Sequence, residues 1–507
     1  MKINIILTFI ILSLLNSCNT KKQKEDKSTQ DISGTYYENP VLGGDYPDPS
    51  VFRDGEDYYM THSSFEYYPG LLIWHSKDLI HWERIAHALH KYVGSVWAPD
   101  FLKFNNRYYI YFPAGGTNWV VTADSPAGPW SEPIDLNLRG FIDPGHMVDA
   151  EGNRYLYLSK GFVVGLSEDG LSVSGEPKHI YDGWQFPKEW STECFCLESP
   201  KLTVKNEFYY LTVAEGGTAG PATAHMVVSA RSKSPFGPFE NSPYNPVVHT
   251  EKRDQRWWCQ GHGTLVDDTD GNWWIMYHGY EKCFQTLGRQ TLMLPVVWTD
   301  DLWFKVPDGI NSSDKLKLPT GKALNLNSSL SDNFSADEPG LQWQFYKDFD
   351  PDRIKVKNGK LVMSAKGRSF DETTPFLVNA SDRKYEVTVE YNLIGDAISG
   401  LCLYYNKEGN MRIEVSKTRF TVYNRQNAKI REPNTLGNHG YLKILNDENE
   451  ISFYFSGDGQ IWTKVERSID ATGFNHNVFG GFMSLRPGIY SYGTGETTFD
   501  NFTYTKL

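Results

Sequence analysis

The chain has 507 residues, with 50 Lys and Arg against 62 Asp and Glu, for a formal charge of −12. Such a length exceeds one ordinary domain, so two are expected. A net-negative chain without a basic stripe is a poor partner for nucleic acid, which is held through its phosphates. Aromatic residues make up 14 %, with 15 Trp and 30 Tyr. That content suits neutral sugars, whose apolar ring faces stack on Trp and Tyr, although a β-rich chain carries many aromatics in its strands anyway.

The chain opens with Lys2 and an apolar run from Ile3 to Leu15, then Asn16-Ser17-Cys18. A basic start, a short apolar core and small residues before a boundary make a secretory signal. The run is too short to span a bilayer. Its end resembles a bacterial lipobox, which implies a lipoprotein signal peptide over 1–18 and a lipid on Cys18. Ordinary cleavage nearby is the alternative. The resemblance implies an exported protein, lipid-anchored to the cell envelope, periplasmic or at the surface, with the membrane as a partner. Residues 19–34 are mostly Lys, Gln, Ser, Thr and Asp and read as a flexible tether. No later stretch reaches 18 uninterrupted apolar residues. Five cysteines remain: Cys194, Cys196, Cys259, Cys283 and Cys402. The count is odd, and export is to an oxidising compartment. Cys194 and Cys196 would share one face of a strand, and either could pair with Cys259 or Cys283. No CxxC occurs, so a zinc site is not expected.

Residues 35–310 repeat one hairpin five times. The first copy is Tyr46-Pro47-Asp48-Pro49-Ser50-Val51-Phe52, a polar turn, then Tyr58-Tyr59-Met60. The others start at Pro99-Asp100-Phe101-Leu102, Asp143-Pro144-Gly145-His146, Glu198-Ser199-Pro200-Lys201 and Gly261-His262-Gly263-Thr264, each followed by a polar turn and an aromatic strand. Spacings of roughly 40–65 residues come near those of propeller blades. Outer strands show as Ser/Asp turns ahead of Trp82, Trp130 and Phe239. The expectation is a five-bladed β-propeller, whose innermost strands converge on a central channel. Asp48, Asp100, Asp143, Glu198 and His262 are then brought toward one pocket. Aromatic insertions at Phe65–Tyr68, Trp119, Trp184–Trp190 and Trp257–Trp258 read as rim loops that set specificity.

Residues 311–328 are polar and read as a linker. From 329 to 507 the pattern becomes period two, as in Tyr385-Glu386-Val387-Thr388-Val389-Glu390-Tyr391 and Met411-Arg412-Ile413-Glu414-Val415. Half-buried antiparallel strands at short spacing indicate a β-sandwich, so the chain is all-β throughout.

Cleavage of a glycosidic bond with inversion needs one carboxylate to activate water and one carboxylic acid to protonate the leaving oxygen, with room for the water between them. A third acid can raise the pKa of the second by like-charge repulsion. Asp48, Asp143 and Glu198, each at the head of its own repeat, fill that trio, and Asp100 reads as structural. The repeat region resembles glycoside hydrolase family 43, five-bladed propeller enzymes that cut β-xylosides and α-L-arabinofuranosides with inversion. The matching motifs are Pro47-Asp48-Pro49, Ile142-Asp143-Pro144, Glu198-Ser199-Pro200-Lys201-Leu202, Gly261-His262 and Gly288-Arg289-Gln290.

The resemblance implies Asp48 as general base, Glu198 as general acid and Asp143 as pKa modulator. Phe65, Trp97, Arg289 and His262 are implied as substrate-binding residues. In some relatives the residue similar to His262 helps hold a channel calcium through water; no other cofactor is implied. The C-terminal half resembles the concanavalin-like sandwich, a jelly roll, of the β-xylosidase branch. The departures are Ser199 where relatives carry Gly, and Gly263-Thr264 where they carry Ala-Asp. The expected function is exo-acting release of xylose or arabinose from plant hemicellulose oligosaccharides. The alternatives are a β-galactosidase of the same family acting on arabinogalactan, or a surface glycan-binding lipoprotein without turnover.

Overall fold

Residues 35–324, 328–347 and 350–507 are described by the computed structural model; the expected signal peptide over 1–18, Cys18 and the expected tether over 19–34 lie outside them. Each repeat folds as an antiparallel sheet with the polar pair of the hairpin in its turn. Blade 1 runs Ser50–Asp54, Asp57–Thr61, Gly70–Ser76, Glu83–Leu89. Blade 2 runs Asp100–Phe104, Arg107–Ala114, Thr117–Ala123, Ile134–Asp135, and blade 3 Gly145–Val148, Arg154–Leu158, Phe162–Leu166, Val173–His179. Blade 4 is Glu198–Lys205, Phe208–Glu215, Met226–Ser232, Glu240–Asn241, with Val248–His249 also on its third strand. Blade 5 is Trp257–Asp267, Trp273–Glu281, Arg289–Trp298, Phe304–Lys305. The innermost strand of each blade touches that of the next, and the fifth touches the first, so the ring closes around a channel.

The segment before blade 1 fastens the closure. Val41 N–H donates to Thr291 O at 3.0 Å, and Thr291 N–H returns to Leu42 O at 3.1 Å. Tyr36–Tyr37 pairs with Leu316–Lys317, and Ser312 and Leu316 are buried. Part of the polar stretch after blade 5 is thus bonded to the propeller and does not hang free.

The second domain is a sandwich organised by two 21-residue strands, Lys384–Tyr404 and Arg486–Lys506, paired along their length. Gly395 (φ 71°) faces Gly495 (φ 111°) in that pairing, and a left-handed backbone there lets both strands bend. Each strand therefore serves both layers: its ends pair with His439–Asp447 and Lys360–Ser364 on one side, and with Asn410–Val415 and Phe376–Leu377 on the other. The alternating residues Val387, Val389, Tyr391, Leu401 and Leu403 point into one apolar core.

The domains share a sheet. Tyr67–Tyr68 of the blade 1 insertion pairs with Gln344–Tyr346 of the sandwich. Phe65 and Tyr67 of the Phe65–Tyr68 insertion, expected as a rim loop, are instead buried in the sandwich core, where their aromatic faces find apolar partners, and Tyr68 is buried between blades 1 and 2.

Candidate active site

Strand register sorts the heads of the five hairpins. Ser50, Asp100, Gly145, Lys201 and Thr264 pair with Thr61, Tyr111, Tyr157, Thr212 and Met276 of their neighbouring strands. Two residues ahead of each stand Asp48, Ala98, Asp143, Ser199 and His262. Asp48, Asp143, Ser199 and His262 have φ of 58°, 54°, 54° and 57°. Non-glycine residues adopt such a conformation at a cost, and it concentrates at functional sites. Glu198 precedes Ser199, so it heads its blade one residue earlier than Asp48 or Asp143 head theirs. The expectation that the three acids occupy one repeat position is corrected here: a bulge between Glu198 and Lys201 shifts the register. Asp100 lies two residues further along its strand, off the mouth of the site.

His262 is the hub. Its Nδ1 stands 3.3 Å from Asp48 Oδ1, and its Nε2 stands 3.3 Å from Glu198 Oε1 and 3.9 Å from Asp143 Oδ2. One imidazole thus touches all three acids. Asp48 and Glu198 sit at its opposite nitrogens.

Asp48 is surrounded by donors. Arg289 Nη1 lies 3.1 Å from Oδ1 and Nη2 3.4 Å from Oδ2. His278 Nδ1 is 2.9 Å from Oδ1, and the Ser63 hydroxyl donates to Oδ2. Burial, the largest influence, opposes the charge of Asp48, but Arg289, His262 and His278 together hold the carboxyl well below the usual range. Burial pushes Asp143 the other way, up to about 7, with Glu198 and Asp48 adding and His262 and Lys201 opposing. His262 is raised to about 8: burial works against its charge, but Asp48, the Glu198 hydrogen bond and Asp143 prevail. The site therefore separates an anion, Asp48, from a carboxyl that keeps a proton near neutrality, Asp143.

Phe65 is 2 % exposed and Arg289 3 %. The guanidinium carbon of Arg289 lies 5.4 Å from the Phe65 ring centre and 5.3 Å from that of Phe482, a residue of the sandwich. Phe482 stacks on Phe65 at 6.3 Å and on His476 at 3.9 Å. The sandwich thus reaches into the mouth of the propeller. Trp97 is 40 % exposed, next to the Phe65–Val96 bridge, in a position to meet a ligand. Asp100 accepts from Lys201 Nζ at 2.7 Å and His146 N–H at 2.7 Å, which makes it a strut between blades.

His225, His278, Thr218 and Phe482 were not anticipated. His278 ends the apolar run Trp273-Trp274-Ile275-Met276-Tyr277, where a buried polar residue is itself a signal. His225 stacks near His262 and His278, with ring centres 5.3 Å from each. It explains the glycine of Gly261-His262: a Cβ there would lie 1.8 Å from His225 Cδ2. Ligand atoms of Glu198, His225 and His262 lie within 4.8 Å of one another. Two imidazoles and one carboxylate suit a borderline divalent metal; calcium, which takes six to eight oxygens, does not fit as their direct ligand.

The cysteine expectation is corrected too. Cys194 bonds to Cys196, and Cys259 is a buried free thiol. The close pair bridges because the loop between Trp190 and Glu198 curls away from a strand, which would have held both side chains parallel.

Residues 37–304 match glycosyl hydrolases family 43, and residues 331–505 match the β-xylosidase C-terminal concanavalin A-like domain. A non-reducing-end α-L-arabinofuranosidase of Bacteroides ovatus is 33 % identical over 343 residues, 61 % of this chain and 61 % of that protein. A xylosidase/arabinosidase of Butyrivibrio fibrisolvens is 27 % identical over 92 % of this chain and 97 % of its own. The crystal structure of a family 43 protein of Bacillus licheniformis superposes with a TM-score of 0.86 at 27 % identity, covering 93 % of this chain and all of the other. With residues 37–304, more than half of the chain, matching that family and a sandwich of the β-xylosidase type behind them, the chain belongs to glycosyl hydrolases family 43.

Proposed function

We propose that the protein is an exo-acting, inverting glycosidase that releases xylose or arabinose from the ends of hemicellulose-derived oligosaccharides. The observation that carries this reading is the single imidazole of His262 set among Asp48, Asp143 and Glu198. Asp48 takes a proton from water as the water oxygen bonds to the anomeric carbon. On the opposite side the glycosidic C–O bond breaks, and Glu198 gives its proton to the departing oxygen. Asp143 modulates the protonation of that pair. Arg289 presents a fixed fork to sugar hydroxyls. Trp97, exposed at the mouth, packs against the sugar, while Phe65, covered by Phe482, backs Arg289. Phe482 over Phe65 and Arg289 supports exo action, since a wall at the mouth favours a chain end over a continuous polymer.

The test is hydrolysis of 4-nitrophenyl β-D-xyloside, α-L-arabinofuranoside and β-D-galactoside by the wild type, Asp48→Asn and Glu198→Gln. Each variant is expected to lose about 10²–10⁴ in kcat on the preferred sugar. Proton NMR of early product should show the inverted anomer. Unchanged turnover in either variant, or a retained anomer, refutes the assignment; preference for the galactoside moves the substrate class.

The scheme uses no metal. A calcium ion held by His262 through water belongs to this proposal only as a structural element, and chelation that leaves folding and kcat intact would dismiss it. We also propose that the Ile3–Leu15 run and Cys18 deliver the enzyme to the cell envelope by a lipid. Incorporation of a palmitate analogue by the wild type but not by Cys18→Ala would support the anchor.

A further inference from the structure

The sandwich brings a polar group to the propeller mouth that the hydrolysis of the bond leaves without work. Three rings form a stack there. Phe65 of blade 1 lies 6.3 Å from Phe482, and Phe482 lies 3.9 Å from His476, with interplanar angles of 22° and 23°. Both domains hold the stack in place. The Tyr405 hydroxyl donates to Gly480 O at 2.6 Å and accepts from the Met483 N–H at 3.3 Å. Leu485 N–H donates to Thr286 O at 2.8 Å, three residues ahead of Arg289. The segment from His476 to Leu485 is therefore fixed before a sugar arrives, and a group on it binds without an ordering cost.

One bond sets the tautomer of His476. Its Nδ1 stands 3.0 Å from the Phe482 backbone nitrogen, and a backbone N–H only donates, so Nδ1 accepts. Burial, with Arg289 adding and Glu193 opposing, lowers the pKa of the ring and keeps it neutral. A neutral imidazole that accepts at Nδ1 carries its hydrogen at Nε2. His476 is half-buried, and its Nε2 has no hydrogen-bond partner among the described residues. The mouth thus holds a neutral donor with nothing to donate to.

The charges that act on the ring show which side of the mouth it occupies. One is Arg289, whose guanidinium carbon is 5.3 Å from the Phe482 ring centre. The other is Glu193, on the loop that leads into Glu198. That loop is docked on blade 4: Glu193 N–H donates to Gly216 O at 2.9 Å, and its Oε2 accepts from the Ala219 N–H at 3.1 Å. The stack therefore begins on the blade of the base, Asp48, and ends toward the blade of the acid, Glu198. The acid protonates the departing oxygen, so the departing sugar lies on its side of the scissile bond.

We propose that His476, as the Nε2–H tautomer, is a specificity residue for the leaving group: it donates to a hydroxyl of the neutral sugar that departs. This rests on Glu198 being the general acid. It makes the sandwich a source of selection for a sugar, over an apolar group, beyond the bond that is cut.

The experiment measures kcat/KM on xylobiose and on phenyl β-D-xyloside, whose leaving group has no hydroxyl to meet the donor, with α-1,5-arabinobiose and phenyl α-L-arabinofuranoside as the second pair. The ratio of disaccharide to phenyl glycoside is read on the preferred pair. His476→Phe keeps a ring against Phe482 and removes the N–H; the ratio should fall about 5–20-fold, the worth of one hydrogen bond. His476→Gln returns an amide N–H to the position of Nε2, and its ratio should come back to within about threefold of the wild type. A ratio unchanged in His476→Phe overturns the proposal, whether both rates fall together or neither does. So does glutamine no better than phenylalanine. So does a wild type that cleaves a phenyl glycoside and neither disaccharide. Glu198→Gln in parallel separates the two layers: full turnover there refutes the acid itself, whereas a dead Glu198→Gln beside an unchanged ratio in His476→Phe refutes only the role of His476.

Discussion

The upper and lower layers of the propeller channel come from the same five hairpins, yet they treat charge in opposite ways. In the upper layer Asp48, Asp143 and His262 hold left-handed backbones and face one another, with Glu198 beside them. In the lower layer, two residues further along each strand, Asp100 accepts from Lys201 Nζ at 2.7 Å, from His146 N–H at 2.7 Å and from Ser50 Oγ at 3.4 Å. Thr264 Oγ1 ties blade 5 to Pro49 O of blade 1 at 2.7 Å. The lower layer neutralises its acid and joins all five blades. The upper layer leaves its acids in competition for protons. An acid at the head of a propeller hairpin is thus chemical or structural according to a two-residue difference in register.

The sharpest way to break this comparison is to make the same change in each layer. Asp143→Asn is expected to lower kcat by about 10²–10⁴ while leaving the melting temperature unchanged or higher, because it removes a buried acid among like charges. Asp100→Asn is expected to keep kcat within about tenfold and to lower the melting temperature, because Lys201 loses its anion. Kinetics and thermal melts on the two variants decide it: matched losses of activity would merge the layers.

A smaller effect follows from removing the lower layer's cation. Lys201 and Asp100 side chains are 11 % and 12 % exposed. Breaking a pair this buried by deleting one partner costs about 3–5 kcal/mol, since the other charge is stranded. Lys201→Met should show that loss in urea unfolding. The double variant Lys201→Met with Asp100→Asn should recover part of it, by more than the two single changes predict together. Lys201 also lowers the Asp143 pKa, so the single variant disturbs the upper layer as well.

Much of this was legible in the repeats. The five hairpins announced five blades, and period two after Asp332 announced a sandwich. The trio was legible because three acids open three copies. Their register was not, since bulges at Glu198–Lys201 and Gly261–Thr264 shift the strands without changing residue types. A signal was nonetheless present: counted back from Pro49, Pro99, Pro144 and Pro200, the preceding residue is Asp48, Ala98, Asp143 and Ser199, which already separates Asp100 and offsets Glu198. Phe482 and the burial of Phe65 were out of reach, because they depend on how a distant domain docks, and local periodicity carries nothing about that. His225 arrives on a loop whose only mark is the space left at Gly261.

A third acid sharpens the comparison with the smallest effect. Glu215 of blade 4 is fully buried and has neither the lysine of the lower layer nor the arginine of the upper. It accepts the Trp184 N–H at 2.7 Å, and that bond is outweighed by burial, which pushes its pKa from 4.5 up to about 8. The folded protein therefore keeps this proton where the unfolded chain has released it. Stability contributed by the protonated form is intact below the unfolded value of 4.5 and falls as pH rises toward about 8. Glu215→Gln keeps an acceptor for Trp184 and has no proton to lose. Its melting temperature should match the wild type at acid pH and exceed it increasingly up to about pH 8, whereas Asp100→Asn should lie below the wild type throughout that range. A Glu215→Gln advantage that does not grow with pH would mean that Glu215, like Asp100, has found a cation, and the distinction between a paired and an unpaired buried acid would fail at this site.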